Sequence, residues 1–178
     1  YSPSATLRSL LELSLDWPGT ASPPALVAVG GFSGSGKSTL ARALAAEVGA
    51  APGAVVVRSD EIRKQLSGVE ALERLGPEGY TEDMSARVYA TVADRARRTV
   101  GAHHSAIADA VYARIDDRQA IERVAADAGI PFVGLWLDAP EAMLVDRATR
   151  RVGDASDADA AVIRQQRTHD LGAMRWHR

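Results

Sequence analysis

The 178-residue chain contains no cysteine. That excludes disulfides, thiolate metal sites, iron–sulfur clusters and cysteine nucleophiles. Lysine is almost as scarce. Of 21 basic residues, only Lys37 and Lys64 are lysines, and the rest are arginines. Neither sign of charge dominates. The formal net charge is -2 and the pI is near 6.1, so no basic field exists to hold a polyanion such as duplex DNA. No apolar run approaches the ~18 residues of a membrane helix. The opening stretch lacks the basic start and continuous apolar core of a signal peptide. With no cysteine, no membrane segment and no export signal, the cytoplasm is the expected compartment. What remains is an ordinary globular composition, 46% apolar and 25% charged, at a length that suggests one domain and little more.

The pattern along the chain alternates strands and helices. Leu7, Leu10, Leu11 and Leu15 form one apolar helical stripe. Trp17-Pro18-Gly19 stops that helix, and Pro23-Pro24 makes a stiff entry to the first strand. Residues 1–24 therefore read as a leading helix and linker, and residues 25–178 as the main domain. Within it, short apolar strands are expected at 25–29, 54–57, 105–111 and 131–137. Helices are expected at 38–48 with Gly49 as its C-cap, at 60–66, from a Thr81 cap over 82–100, at 116–128 closed by Gly129, at 140–151 and at 158–170. Strands that are apolar throughout and separated by helices indicate an α/β fold, a parallel sheet covered on both faces.

The strongest local signal is Gly31-Phe32-Ser33-Gly34-Ser35-Gly36-Lys37-Ser38, which fits G-x-x-x-x-G-K-[ST] at every fixed position. A buried strand precedes it and a helix comes after it, as the motif requires. Glycines let the backbone turn so that N–H groups point inward at phosphate oxygens. The positive end of the adjoining helix adds to that field. Lys37 can reach the β- and γ-phosphates, and Ser38 can place its hydroxyl on Mg²⁺. Residues 31–39, through Thr39, are the expected nucleotide-binding set.

Two strand ends carry carboxylates, where parallel sheets collect functional residues. The second strand ends in Arg58-Ser59-Asp60, with Arg63 one helical turn on. Asp60 could accept the proton of an acceptor hydroxyl while Arg63 holds an anionic group of the substrate. Equally, Asp60 could cap the short helix and Arg63 could be a solvated surface residue. The third strand ends in Asp109, which could position Mg²⁺, the alternative being a turn aspartate. His103 and His104 fall at the opposite end of that strand and read as surface or packing residues. Further on, Arg147 and Arg151 lie four apart and share a helix face. Residues 153–159 are small and polar, as a mobile flap would be. Together they could close over the phosphates and stabilise the charge of a transferring phosphoryl group. The alternative is a solvated basic face pairing with Asp146, Asp154 or Asp157.

In combination these segments resemble the small phosphate-loop kinases, which include gluconate, adenylylsulfate, shikimate and polynucleotide kinases and the zeta-type toxins. The resemblance is nearest to the ATP-binding kinase-like domain that comes after an aminoglycoside-phosphotransferase-like domain in some bacterial polypeptides. It rests on Val27 to Ala41, on Arg58-Ser59-Asp60-Glu61-Ile62-Arg63-Lys64, on Ala108-Asp109-Ala110, on Leu137-Asp138-Ala139-Pro140 and on Asp154-Ala155-Ser156-Asp157-Ala158. It implies a three-layer P-loop NTPase fold with a parallel sheet in order 2-3-1-4-5, ATP with Mg²⁺, and phosphorylation of a hydroxyl. It makes Lys37, Asp60, Arg147 and Arg151 the catalytic candidates, Asp60 and Arg63 the substrate contacts, and Ser38 and Asp109 the metal-side residues.

The resemblance also carries departures. The family's fifth strand should come about where Trp176-His177-Arg178 stands, so that strand is expected to be missing or truncated here, and adenine contacts are unassigned. The leading helix resembles the last helix of an upstream domain, which makes the chain part of a two-domain protein. The expected substrate is a small hydroxylated metabolite. A 5′-hydroxyl nucleic-acid kinase is disfavoured by the acidic pI and by the lack of a basic stripe with interleaved aromatics. A nucleotide-binding regulatory module that phosphorylates nothing is the reading from another class.

Overall fold

The structure is a computed structural model that describes residues 23–150 and 153–178. The leading helix and linker expected over residues 1–24, Pro23 and Pro24 apart, and Arg151 lie outside the described residues. The chain runs β1 (Leu26–Gly31), α1 (Lys37–Ala45), β2 (Val55–Arg58), α2 (Ser59–Leu66), a 3₁₀ turn (Pro77–Tyr80), α3 (Glu82–Gly101), β3 (Ala106–Asp109), α4 (Ile115–Ala128), β4 (Phe132–Leu137), α5 (Glu141–Thr149) and α6 (Ala160–Arg167).

β1 is the centre of the sheet because it can be buried on both faces. All six of its residues are buried. It pairs in parallel with β3 on one side and β4 on the other, and β2 pairs with β3. The four-stranded order is β2-β3-β1-β4. Side chains alternate across the sheet with the period of two that a pleat imposes. Val27, Val29 and Ile107 face α1, through Ala41, Leu40 and Leu44. Leu26, Ala28, Ala106 and Ala108 face the other way, onto Val88, Val92, Ala96 and Val100 of α3 and Ile121 and Val124 of α4. Each fully buried Val, Leu or Ile contributes about 1.5–3 kcal/mol, so this double-sided core dominates stability. The three-layer arrangement is the P-loop NTPase fold.

Two expected helix ends hold. Thr81 caps α3, its hydroxyl accepting from the Met84 N–H. Gly129 closes α4 at φ 63. Another expectation is corrected. The first helix stops at Ala45 and is capped by Ala46. Gly49 instead sits in the turn beyond it, where a Cβ would lie 2.2 Å from the Ser105 hydroxyl. The helix expected at 158–170 is shorter because Asp159 caps it, accepting from the Val162 N–H. His103 and His104 are exposed, as expected.

The fifth-strand position is not empty. His177 forms a parallel bridge with Leu135 on the open edge of β4. Its carbonyl accepts from the Trp136 N–H at 2.7 Å, and its N–H donates to the Gly134 carbonyl at 2.9 Å. Among the described residues this is one bridge rather than a strand. It is anchored by Trp176, whose indole N–H donates to Glu122 at 2.7 Å. The indole lies so close over Gly134 that any Cβ there would come within 2.4 Å of it.

Candidate active site

The β1–α1 turn forms the floor of the site. Gly34 and Gly36 have φ of 82 and 97, values that side chains of L-residues rarely adopt. A Cβ on Gly34 would also meet the Leu144 carbonyl oxygen at 2.3 Å. Gly36 is the N-cap of α1, and no side chain caps that end. A helix N-terminus that opens from a glycine turn has the local chemistry of an anion site. The hydroxyl of Ser35 is buried with no hydrogen-bond partner among the described residues. Lys37 Nζ folds back on the turn and donates to the Phe32 carbonyl at 3.0 Å.

Above this floor lies a cavity of about 990 Å³. Its walls include Ser33, Gly34, Ser35, Gly36, Lys37, Ser38 and Thr39 from the turn, Asp60 from α2, Arg147 and Arg150 near the end of α5, and Asp154 and Ser156 from the segment after it. Gly31 and Phe32 lie behind the wall. The Phe32 ring packs edge-on against Trp136, with ring centroids 5.4 Å apart. The fold thus brings Asp60 to the cavity that the glycine turn opens. It holds Arg63 elsewhere. The Arg63 guanidinium donates to the Gly79 carbonyl at 2.8 Å and lies over the Tyr80 ring at 5.0 Å.

Asp109 ends β3 almost fully buried. Burial pushes its carboxyl up from the ordinary range, opposed by Lys37 and by a hydrogen bond from Ser38. A hydroxyl and a buried carboxylate side by side are hard oxygen donors. That pair suits a magnesium-like cation whose remaining ligands come from phosphates and water. No larger cluster of metal-ligating side chains occurs among the described residues.

Four residues that the sequence reading did not assign complete the site. Arg58 is buried beside Ser38 and Asp109. Its guanidinium donates to Ser38 Oγ at 3.2 Å, to Glu61 at 2.9 Å and to Asp154 at 3.1 Å, and its Nε lies 3.4 Å from Asp109 Oδ2. Burial alone would lower its pKa, yet the three carboxylates outweigh that and raise it. Lys64 is 2% exposed and pairs with Asp157 at 2.5 Å. The same Asp157 oxygen accepts from the Leu75 N–H at 3.0 Å and from the Tyr80 hydroxyl at 2.9 Å. Desolvation would raise the Asp157 pKa, but these donors together lower it. Gln166 of α6 accepts from the Ser33 N–H at 2.9 Å, which ties α6 to the glycine turn. Arg150 pairs with Asp146 at 2.8 Å on the cavity wall. Arg58 was within reach of the sequence, since it ends a parallel strand beside Asp60. Lys64 and Gln166 carry no local signal, because their partners are far away in the chain.

The flap carboxylates reach back to β2 and α2. Asp154 bonds Arg58, and Asp157 bonds Lys64. On α5 Asp146 pairs with Arg150, as the alternative of a solvated basic face expected.

The chain is similar to several known proteins. A family model described as an AAA domain matches residues 26–169. An uncharacterized protein of Mycobacterium tuberculosis is 33% identical over 143 residues, which is 77% of this chain and 28% of that protein. The chain thus spans little more than a quarter of that relative's length. The adenylyl-sulfate kinase of Myxococcus xanthus is 33% identical over 118 residues, covering 66% of this chain and 59% of that enzyme. Among solved structures, the Mycobacterium tuberculosis APS kinase in complex with AMPPNP and APS superposes with a TM-score of 0.57 at 25% identity, covering 72% of this chain and 70% of that one.

Proposed function

Because the chain belongs to the P-loop family that the AAA domain model describes, we propose that it is an ATP-dependent kinase that moves the γ-phosphoryl group of ATP to a hydroxyl of a small metabolite. The observation that carries this reading is the presence of Asp60 on the wall of the cavity that holds Lys37 and Ser38. A carboxylate facing a phosphate-binding turn has a use in transfer to an alcohol. A nucleotide-binding switch would not need it.

In this reading the turn N–H groups and Lys37 hold the β- and γ-phosphates and stabilise charge that grows as the bond to the γ-phosphorus breaks. Asp60 accepts the proton of the acceptor hydroxyl while the hydroxyl oxygen forms a bond to the γ-phosphorus, and ADP leaves with the electron pair of the broken bond. Arg63 steers an anionic part of the acceptor, its guanidinium oriented by Gly79 and Tyr80. Arg147 and Arg151 add positive charge at the flap. Ser38 and Asp109 hold Mg²⁺, which when bound neutralises phosphate charge. The flap excludes water, favouring transfer over hydrolysis.

In this reading the domain works beside an upstream domain of a longer polypeptide. No described helix is long and apolar enough to cross a membrane.

The test is a phosphate-transfer screen of hydroxylated metabolites with Mg-ATP, then Asp60→Asn on the best acceptor. Transfer should fall by about 10²–10⁴-fold while ATP binding measured by calorimetry persists. Lys37→Ala should lose both. Transfer that survives Asp60→Asn removes Asp60 as the base. ATP binding with no acceptor ever phosphorylated replaces the kinase with a regulatory module.

A further inference from the structure

One buried arginine at the cavity has no place in that mechanism. Arg58 is 8% exposed, and three carboxylates converge on it: Glu61 at 2.9 Å, Asp154 at 3.1 Å and Asp109 at 3.4 Å. Its Nε is buried with no aligned hydrogen bond, aimed at Asp109 across that 3.4 Å gap. Its NH2 group also donates to Ser38 Oγ at 3.2 Å, and Ser38 in turn bonds Asp109. The arginine thus touches both residues assigned to the metal and one carboxylate of the flap.

We propose that Arg58 is a positioning residue, the internal counter-cation of the metal side, which orients Ser38 and Asp109 and keeps a divalent cation from binding there before nucleotide does. This rests on Ser38 and Asp109 being the metal-side donors. Two electrostatic facts carry it. Three carboxylates lie within 3.4 Å of the guanidinium, so a neutral side chain at position 58 would raise the attraction for a free divalent ion beside Asp109, where Lys37 also acts, because charges a few ångströms apart interact strongly at a partly buried site. A guanidinium fixed among them cancels part of that field and repels a second cation. Hard divalent ions with few protein ligands bind well only when phosphates complete the shell. With Arg58 in place, the cation enters with the nucleotide.

The geometry of Ser38 fits the same role. Its hydroxyl accepts from Arg58 and interacts with Asp109, which leaves acceptor capacity for a cation. The bond from the same guanidinium to Asp154 places the flap under the same control. Lys37 and Asp60 also act on Asp109, with opposite signs.

The experiment is titration of nucleotide-free protein with Mn²⁺, monitored by electron paramagnetic resonance of the free ion. It needs no turnover, so failure of the kinase reading leaves it intact. Wild type should bind Mn²⁺ weakly, and Arg58→Gln at least about tenfold more tightly. Arg58→Lys, which keeps the charge, should stay near wild type. Adding Asp154→Asn to Arg58→Gln should remove much of the gain. Amide exchange over residues 153–159 should quicken in Arg58→Gln, which reports the loss of the flap bond. The proposal falls if Arg58→Gln binds Mn²⁺ no better than wild type. If that variant does not fold, tight Mn²⁺ binding by wild type or by Arg58→Lys overturns the proposal, and weak binding by both supports it.

Discussion

Two walls of the same cavity are held in different ways. The floor, residues 31–38, is shaped by backbone turns at Gly31, Gly34 and Gly36, and two bonds within it converge on one carbonyl, although Ser33 also reaches Gln166 and Ser38 accepts from Arg58. Ser35 N–H donates to the Phe32 carbonyl, and Lys37 donates to the same carbonyl. The wall that carries Asp60 depends on side-chain pairs across long stretches of chain. Arg58 and Asp154 are 96 residues apart, and Lys64 and Asp157 are 93 apart. A backbone-built wall is preformed whenever its strand and helix form. A wall built from ion pairs exists only once the flap has docked, and each pair must overcome the desolvation of its own charges.

The sharpest way to break this comparison is Lys64→Met. Lys64 is nearly inaccessible, and its removal leaves Asp157 with a charge that no cation meets. The expected loss is about 3–5 kcal/mol in denaturant unfolding. Adding Asp157→Asn should recover part of it, since a neutral carboxamide can still accept from Leu75 and Tyr80. If Lys64→Met costs under about 1 kcal/mol, the flap wall is no more demanding than a surface pair, and the contrast with the floor disappears.

Asp157→Asn alone tests the same pair by pH. The carboxyl's folded pKa lies below its ordinary value. Its contribution is therefore fully present above the unfolded value of about 3.9 and lost as pH falls through the folded one. Wild type should exceed Asp157→Asn by about 1–3 kcal/mol at neutral pH. That gap should close in unfolding curves taken below about pH 4. A gap that stays constant well below that pH would mean that the carboxylate charge contributes nothing.

How much of this could be read in advance obeys the same division. The glycine turn, the flanking strand and helix, the Thr81 cap and the Gly129 cap are legible because each is decided within a few residues. Asp60 was legible as a strand-end carboxylate, and the cavity does include it. The roles of Lys64 and Gln166 were not, because nothing near Lys64 announces Asp157 and nothing near Gln166 announces Ser33. Asp154 and Asp157 were seen as charges, yet their partners were sought on the neighbouring helix, where spacing can be counted. The Gly49 cap failed for a related reason. A glycine just past an apolar stripe reads as a helix end, but the helix ends four residues earlier at Ala45, and Gly49 is needed instead for close approach to Ser105.

The smallest expected effect separates stability from function at the α5 end of the cavity. Arg98 and Arg150 form a matched pair. Each guanidinium is 79% exposed and meets an aspartate four residues earlier at 2.8 Å, Asp94 and Asp146 respectively. Exposed pairs of this kind contribute only about 0.3–0.5 kcal/mol, so Arg98→Ala and Arg150→Ala should both unfold within about 0.5 kcal/mol of wild type. They differ in place. Arg150 lines the cavity, and Arg98 lies outside it on α3. ATP affinity by calorimetry should therefore fall for Arg150→Ala and stay unchanged for Arg98→Ala, with the difference shrinking as salt rises. Equal affinities would confine the working charge of the cavity to the floor and to Arg58. Unequal ones would extend it to a residue that contributes almost nothing to the fold, which is where a sequence read for packing alone would not look.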